Sequence, residues 1–474
     1  MFFSLSPKFD ENKVFIRTWG KLESRLDSNY YKQIYMNLEE AVAKKTNYKL
    51  RDFIKQMASG VTPKITEYEK YYTDCENGVP FLRVQNLSPE GLNWADCRYI
   101  NRKTHDGMLK RSQVFSGDLL VKITGVGRMA ITSVAPEGFE GNINQHIVVI
   151  KTKKPELNEQ IAAFLNSEIG EMLAARRSTG GTRPALDYAA LRSIPVILDH
   201  TISEVMQQAY EKKKEKEKEA QLLLDRTNEE LLLELGIALP PNDNDSLENR
   251  MFYVKSNEVF FSRYDASFHK PVFAANAHNL QNGKYPAAPL KKTAPVGLIK
   301  GILPKNDQKG GSCKVIQIGN IKADGTIDTT ETMTAQPIYS LEQKLEKGDV
   351  LVVVTGATIG KIGFWDCEDE FYLGGDIVKF NTENDCLNEI YAFLLRTKPY
   401  QMQIKKSITG ATNGHLAVKD IEQLPLPYQM DENVQKTIAE NLSSVRQKIN
   451  TLKQEAKAEV HCAQAKVGKI LLGK

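Results

Sequence analysis

Hydrophobic and polar positions along the chain follow two different patterns, and the two alternate. Residues 117–125 (GDLLVKITG) and 348–356 (GDVLVVVTG) are rich in β-branched residues and predict buried strands that end in a glycine turn. Residues 199–236 and 431–474 are instead dense in Glu, Lys, Leu and Gln, which predicts one long helix in each segment. The pattern therefore indicates strand-rich segments that alternate with long helices.

Both predicted helices carry hydrophobic residues at alternating steps of four and three, the spacing of a coiled-coil seam. The seam residues are Ile202, Met206, Ala209 and Leu223 in the first helix, and Ile438, Leu442, Val445, Ile449 and Leu452 in the second. Lys213 and Lys216 interrupt the first seam. We interpret the surrounding charged run, residues 211–219, as a solvated face with salt bridges, the alternative being that its lysines bind phosphate. At about 1.5 Å per residue, a helix of this length spans ~50 to 60 Å and predicts a spacer.

The chain also resembles itself over five segments in the same order. The pairs are residues 24–27 with 262–265, 81–91 with 315–325, 117–125 with 348–356, 144–148 with 374–378, and 180–195 with 410–425. The last pair shares the pattern G-x-T-x3-L-x4-[LI]-x2-[IL]-P. Because the separation drifts only from 238 to 230 residues, the five matches predict an internal duplication.

The duplication agrees with the length of the chain, since 474 residues exceed what one hydrophobic core usually organises. We predict an α+β fold with two pseudo-repeated domains of mixed sheet plus helices, separated by the two long helices. The predicted segments are domain 1 at residues 1–198, spacer helix 1 at 199–236, a linker at 237–250, domain 2 at 251–430 and spacer helix 2 at 431–474.

Bulk properties exclude several classes of protein. No apolar run approaches the ~20 residues that cross a bilayer, and residues 1–8 lack a signal-peptide pattern, so we predict a cytoplasmic protein. The six cysteines are far apart and predict neither a disulfide framework nor a zinc site. A net charge of +4 does not by itself predict nucleic-acid binding, so any basic face must be local.

Motifs for catalysis are incomplete. The segment from Gly356 to Lys361 imitates a phosphate-binding loop, yet it has three residues between its glycines and Ile362 in place of the required Ser or Thr. The turn Gly125-Val126-Gly127 lacks the third glycine of a dinucleotide or methyl-donor loop. Histidines do not stand at metal-ligand spacing. We therefore predict no catalytic site, no metal and no cofactor in this chain.

Side chains that read DNA donate to or accept from base edges, mainly Arg to guanine and Asn or Gln to adenine, while other contacts hold phosphates. Candidate residues stand near the predicted strand ends and in the glycine loops. In the first half they are Arg83, Gln85, Lys122, Thr124, Arg128, Asn144, Gln145, His146, Arg176, Arg177, Thr182 and Arg183. In the second half they are Gln317, Asn320, Lys361, Lys405, Lys406, Thr412, Asn413 and His415.

Several of these candidates have a structural alternative. Asn320 and its match Asn86 precede a glycine turn and are equally typical of an Asx turn. Thr182 and Thr412 are also typical of helix caps. The basic pairs at residues 176–177 and 405–406 are interpreted as phosphate anchors or as solvated helix ends. Arg183 and Asn413 are favoured as base readers, because the pattern around them is shared while their chemistry differs.

The chain resembles the specificity subunits of Type I restriction-modification systems over nearly its whole length. The paired G-x-T-x3-L-x4-[LI]-x2-[IL]-P segments carry the resemblance, together with the paired G-D-[LV]-L-V strands and the stretch Ser59 to Pro63 (SGVTP). One departure is that residues 297–301 (GLIKG) stand where a second Gly-x-Thr-Pro turn is expected. The polar middle of the first spacer helix is another.

This resemblance implies a fold and a set of partners. Each half is then a target-recognition domain followed by a long helix, and the two helices form an antiparallel coiled coil. The implied function is non-catalytic reading of a bipartite target in double-stranded DNA. The implied partners are two methyltransferase subunits, which bind S-adenosylmethionine, and two restriction subunits, which use ATP and Mg. A stand-alone DNA-binding or regulatory protein and a self-sufficient enzyme are the alternatives.

Overall fold

The computed structural model describes residues 10, 13–23, 25–243, 247–260, 263–410 and 414–473. The chain divides into unit 1, Met1–Glu215 with Glu455–Lys474, and unit 2, Lys216–Gln454. Both units combine helices with β-sheets, which confirms the α+β class. Within the described part of the chain, no helix is long and apolar enough to cross a membrane.

The strands of each unit are short. Those of unit 1 include β1 (Ile54–Ser59), β2 (Tyr72–Thr73), β3 (Val79–Leu82), β4 (Leu87–Ser88), β5 (Gly91–Leu92), β6 (Arg98–Ile100), β7 (Gln113–Phe115), β8 (Leu119–Lys122), β9 (Thr132–Val134), β10 (Glu140–Ile143) and β11 (Ile147–Thr152). Those of unit 2 include β12 (Ala287–Pro289), β13 (Ile299–Lys300), β14 (Lys309–Ile316), β15 (Met333–Ala335), β16 (Val350–Val353), β17 (Ile362–Phe364), β18 (Tyr372–Leu373), β19 (Ile377–Phe380) and β20 (Pro425–Pro427).

Most helices are shorter than twelve residues, and two are long. The shorter ones include α1 (Gln33–Ala43), α2 (Leu50–Phe53), α3 (Tyr68–Tyr71), α4 (Arg102–Asp106), α5 (Asn158–Leu165), α6 (Glu168–Arg177), α7 (Tyr188–Arg192), α9 (Leu247–Arg250), α10 (Ser256–Phe260), α11 (Pro271–Gln281), α12 (Asp385–Leu394), α13 (Lys398–Ser407) and α14 (Val418–Glu422). The long ones, α8 (His200–Glu234) and α15 (Glu432–Leu472), lie in the two segments for which long helices are predicted.

Each unit contains a four-stranded antiparallel sheet, which we call its central sheet. The strand order is β1-β11-β8-β9 in unit 1 and β13-β19-β16-β17 in unit 2. The two β-branched runs of the sequence form β8 and β16, and every residue of both strands is buried. The central strands therefore follow one another in the same order in both units, as the matched segments of the sequence do.

Each unit also has a second sheet of mixed direction. The order is β2-β6-β3-β10-β7 in unit 1 and β15-β14-β18 in unit 2. In unit 1, β3 runs parallel to β10, which precedes the bend into β11. In unit 2, β14 runs parallel to β18, which precedes the bend into β19. The second sheets thus lead into the central sheets at matched points.

The long helices belong to the hydrophobic core of each unit. In unit 1 the beginning of α8 shares a core with the end of α15, and in unit 2 the later part of α8 shares a core with the beginning of α15. The seam residues Ile202, Met206, Ala209, Leu442, Ile449 and Leu452 are buried, and Leu223, Ile438 and Val445 are partly buried against the core. The apolar seam positions therefore face inward on both helices.

The charged run in the middle of α8 forms ion pairs. Lys212 lies 3.7 Å from Glu459 in unit 1, and Glu219 lies 3.7 Å from Lys448 in unit 2. Lys213 forms an ion pair with Glu90, which precedes the glycine of β5. These contacts favour the interpretation of residues 211–219 as a face with salt bridges.

Candidate nucleic-acid interface

Several loops meet at one end of the central sheet of unit 1, where β1 and β8 end and β11 begins. The amide of Ile123 donates to the carbonyl of His146 over 3.0 Å, and the amide of Leu186 donates to the carbonyl of Ile123 over 2.8 Å. Gly125 donates to the Pro184 carbonyl over 3.2 Å. We call residues 60–63, 123–127, 144–146 and 179–186 the loop end of unit 1. Their backbone positions are tied to one another and to the sheet.

The glycine loop at residues 180–184 is closed by a pair of backbone bonds. The amide of Thr179 donates to Ala185 over 2.9 Å, and Ala185 donates back over 2.8 Å. Gly180 has a φ of +92°, a conformation that disfavours residues with a Cβ. The closed loop leaves Thr182 and Arg183 exposed to solvent.

Unit 2 has the same backbone bonds at the matching end of its central sheet. Val354 donates to the Asp376 carbonyl over 2.9 Å, and Leu416 donates to Val354 over 2.8 Å. The amides of Thr409 and His415 each donate to the carbonyl of the other, over 2.9 and 2.7 Å. Residues 301–304, 354–360, 374–376, 409–410 and 414–416 form the loop end of unit 2, and Gly410 has a φ of +94°, close to that of Gly180.

In each unit a matched arginine donates hydrogen bonds to the backbone just before the glycine loop. Arg25 forms two bonds of 2.7 Å with the Asp27 carboxylate and donates to the carbonyl of Arg177, at the end of α6, over 2.9 Å. Arg263 donates to Asp265 over 2.7 Å and to the carbonyl of Ser407, at the end of α13, over 3.2 Å. The hydrogen bond from Arg25 lowers the pKa of Asp27 below its ordinary value. The first repeated motif is therefore an anchor for the glycine loop; its serines, Ser24 and Ser262, lie outside the described residues.

The prediction for the two arginines at the end of α6 needs a correction. The side chains of Arg176 and Arg177 are only 2% and 5% exposed, and both form ion pairs with Glu39 at 2.8 and 2.6 Å. Although burial raises the pKa of Glu39, the two guanidinium groups hold it below its ordinary value. Because both cations are already paired inside the protein, this placement argues against the predicted phosphate contacts and also against solvated helix ends.

The second basic pair is placed differently. Lys405 is exposed and lies 3.3 Å from Asp243, so its ammonium group remains accessible. The ammonium of Lys406 lies 4.3 Å from the centre of the Phe268 ring, and burial, followed by the nearby Arg263, lowers its pKa. Of the two, Lys405 is the better placed for a phosphate.

Three further basic candidates donate hydrogen bonds to backbone carbonyls of the protein. The buried Lys122 donates to the Val126 carbonyl over 2.7 Å, which closes the turn after β8. Arg128 donates to the Ser167 carbonyl over 3.0 Å, next to the end of α5. Arg83 donates to the carbonyl of Asp96. These bonds give all three side chains a structural role and argue against their predicted contacts with DNA.

The asparagine candidates are also structural. The Asn320 side chain accepts from Gln317 over 2.9 Å and donates to Asp328 and Glu331 over 2.7 and 2.9 Å. Asn86 accepts from the Arg83 amide in the same way, so both side chains are structural, although the bond runs to the amide three residues earlier and is not that of an Asx turn. Asn144 is buried and accepts from the His146 amide over 3.1 Å.

The remaining candidates lie at or near the surface. Gln85, Gln145, Thr182, Arg183, Lys405 and His415 are exposed, and Thr124, His146, Gln317 and Lys361 are partly exposed. The ring of His415 lies 3.3 Å from the Thr355 hydroxyl, and Gln317 donates to the sulfur of Met333 over 3.4 Å. Thr182 does not cap α7, which is capped by Asp187. Thr412 and Asn413 lie outside the described residues.

A glycine-proline turn at each loop end corrects the sequence alignment. A Cβ on Gly60 would overlap the Ile143 carbonyl, and a Cβ on Gly301 would overlap the Gly374 carbonyl. Each glycine follows the first strand of its central sheet, and the prolines three residues later, Pro63 and Pro304, are both buried. Residues 301–304 (GILP) therefore occupy the place of Gly60-Val61-Thr62-Pro63, and the expectation that placed this turn at residues 297–301 is wrong.

This correction reveals two surface residues that the sequence comparison missed. Thr62 in unit 1 and Leu303 in unit 2 occupy the third position of the matched turns. The shared G-x-x-P spacing was a usable signal, since its offset is close to that of the other pairs. It was missed because the threonine of the first turn is replaced by leucine in the second.

A shared loop framework that carries different exposed side chains in two units is typical of a paired recognition protein, in which a rigid scaffold positions binding residues on loops. Residues 298–461 match a family model described as the Type I restriction modification DNA specificity domain. These residues are therefore similar to that domain, which bears out, over this part of the chain, the resemblance seen in the sequence. A comparison with curated proteins gave no match.

Two solved structures are distant matches to this chain. The S subunit of a Type I restriction-modification system from M. genitalium is 13% identical, with 90% of this chain and 94% of that chain covered at a TM-score of 0.37. The HsdS subunit from Thermoanaerobacter tengcongensis is also 13% identical, with 90% and 96% covered at a TM-score of 0.29.

Proposed function

We propose that this chain is the non-catalytic DNA-binding specificity subunit of a Type I restriction-modification complex, and that each unit reads one part of a bipartite target in double-stranded DNA. The observation that carries the proposal is the loop end, which has the same backbone hydrogen bonds in both units but different exposed side chains. A common framework with different chemistry suits two related domains that read different sequences.

The exposed groups supply the required chemistry. Arg183 stands on a closed loop and can donate to guanine, while the Gln145 amide matches adenine. The hydroxyls of Thr124 and Thr182 and the ring of His415 extend the polar surface. Lys361 and Lys405 are proposed to hold phosphates, because ammonium groups contact the backbone of DNA irrespective of sequence. The buried arginines of α6 are not part of this interface.

The two long helices are proposed to form an antiparallel coiled coil that sets the number of unread base pairs and docks two methyltransferase subunits. The shared cores of α8 and α15 within each unit support this arrangement. A groove of about 560 Å³ lies along their apolar residues in unit 2, lined in part by Leu231, Ile438 and Leu442. S-adenosylmethionine, ATP and Mg are proposed to belong to the methyltransferase and restriction subunits.

Methylation mapping tests the proposed function. The chain is coexpressed with the methyltransferase subunits of its own source, and the methylated sites in the host DNA are sequenced. We expect copurification and a motif of two short sequences separated by a fixed gap. A chain that binds DNA tightly but copurifies with no methyltransferase supports the stand-alone alternative. Methyl transfer by the purified chain alone supports the enzyme alternative.

A heptad insertion tests the spacer role. Seven residues inserted into the exposed part of α8, with a matching insertion in α15, lengthen each helix by ~10 Å, or about three base pairs. We expect the gap in the methylated motif to grow while both half-sequences stay the same. An unchanged gap contradicts the proposed role of the helices.

A further inference from the structure

Three matched positions at the loop ends carry contrasting chemistry. One is the third residue of the glycine-proline turn, and the other two directly precede the last strand of the central sheet. In unit 1 these positions hold Thr62, Gln145 and His146, and in unit 2 they hold Leu303, Gly375 and Asp376. We call each set a contact trio.

The two trios stand on matching backbone hydrogen bonds. Asn144 donates to the Leu82 carbonyl over 3.0 Å, and Gly374 donates to the Ile316 carbonyl over 2.9 Å. The carbonyls of His146 and Asp376 accept from the strands β8 and β16 as described above. The trios therefore differ in their side chains and in the backbone conformation of one member, since Asp376 has a φ of +66° and His146 does not have a positive φ.

In unit 1 the trio holds an amide in place. The hydroxyl of Thr62 bonds to Oε1 of Gln145, and Nε2 of Gln145 lies 3.2 Å from Nε2 of His146. Gln145 is nevertheless exposed, so its second N–H and the free lone pair of its oxygen face solvent. An amide held at both atoms and open at its edge is suited to the paired donor and acceptor of adenine.

In unit 2 the trio offers no amide. Leu303 is 62% exposed and packs over Gly375, where a Cβ would come within 2.6 Å of the Cβ of Leu303. The glycine thus leaves room for the leucine side chain, and a glutamine at this position would displace it. Asp376 is partly exposed, and within the part of the chain that the structure describes its carboxylate has no hydrogen-bond partner. The contact trio of unit 2 therefore presents an apolar side chain, Leu303, next to a hydrogen-bond acceptor, the carboxylate of Asp376.

We propose that the contact trios select one base in each half of the target: adenine through Gln145 in unit 1, and cytosine through Asp376 and Leu303 in unit 2. A carboxylate accepts from the cytosine amino group and repels the carbonyl oxygen that thymine presents at the same place. Leu303 covers the carbon edge of the pyrimidine. This inference rests on the proposed function and names the residues that give its two halves different sequences.

The test uses shape-conserving variants in the coexpressed complex, read by methylation mapping and by binding to duplexes that differ at one base. Gln145→Glu replaces a donor by an acceptor, so we expect one position of one half-site to change from adenine to cytosine. Asp376→Asn relaxes one cytosine position of the other half-site. Discrimination at each position should fall by ~10-fold to 100-fold. Gln56→Glu and Asp307→Asn are matched controls, since both residues are exposed outside the loop ends and the long helices, and should leave the motif unchanged.

The outcomes separate the trio from the proposed function. If the wild-type complex methylates a bipartite motif and both variants keep that motif, the contact trios are wrong and the proposed function stands. If one variant alters both half-sites, the trio assignment is also wrong. If the wild-type complex has no bipartite motif, the proposed function itself fails. A further variant, Leu303→Thr, should weaken the cytosine preference without changing the charge of the surface.

Discussion

The two units support their loop ends with the same backbone bonds, but the ion pairs at the opposite end of their central sheets differ in burial. Asp349 and Lys379 pair at 2.8 Å with side chains only 2% and 7% exposed. The matching Asp118 and Lys151 pair at 2.7 Å with 12% and 27% exposed. Both aspartates come from the repeated Gly-Asp motif. The same ion pair can therefore occur in both units and contribute differently to stability. A buried charge is destabilising without its partner, whereas an exposed charge is still solvated by water.

The largest predicted effect is the loss of stability when the buried pair of Asp349 and Lys379 is broken. Asp349→Ala leaves the Lys379 ammonium buried without its carboxylate, which should cost ~3–5 kcal/mol of stability. Asp118→Ala should cost about 1 kcal/mol, because water reaches Lys151. Unfolding in urea, with hydrogen exchange of β8 and β16 to locate the loss, measures both. Equal losses in the two units would contradict the comparison.

The next prediction concerns the arginine anchors. Arg25→Ala removes bonds to Asp27 and to the carbonyl of Arg177, and Arg263→Ala removes the matching bonds in unit 2. Each should destabilise its own glycine loop by ~1.5–3 kcal/mol, because hydrogen bonds to charged groups are lost. Hydrogen exchange at Ala185 and at His415 reports the two loops separately.

A lysine variant controls for charge in this prediction. Arg25→Lys keeps the cation but lacks the planar fork that bridges a carboxylate and a carbonyl, so it should restore little of the lost protection. Loss of protection at His415 in the Arg25 variants would show that the anchor does not act within its own unit.

The sequence predicts those features that depend on local pattern. The β-branched runs become β8 and β16, and the segments dense in Glu, Lys and Leu become α8 and α15, because periodicity and propensity act within a few residues. The glycine loops are likewise local, since Gly180 and Gly410 must take a positive φ wherever the loop closes. The matched segments of the sequence therefore include the loops whose backbone hydrogen bonds match in the two units.

The sequence does not predict which polar side chains reach the surface. Arg177 was a reasonable phosphate candidate until the fold brought Glu39 to it from 138 residues away. Lys122 and Arg83 are likewise bonded to protein carbonyls, those of Val126 and Asp96. Leu303 was not predicted as a binding residue, because a leucine in the sequence does not indicate that its side chain is exposed. The partners of a side chain depend on tertiary packing. The structure was therefore needed to decide which of the residues predicted to contact DNA are exposed.

The smallest predicted effect is the most specific one. Arg183→Ala should cost ~1–3 kcal/mol of discrimination at one base of one half-site, because a single guanine contact is lost. Methylation mapping and binding to single-base variants of the target measure it. Arg192→Ala is the matched control, since Arg192 is exposed on α7 in the same unit and removes the same charge. If Arg183→Ala instead weakens binding to every sequence equally and lowers the salt dependence by about one ion, Arg183 holds a phosphate and the glycine loop positions the DNA without reading it.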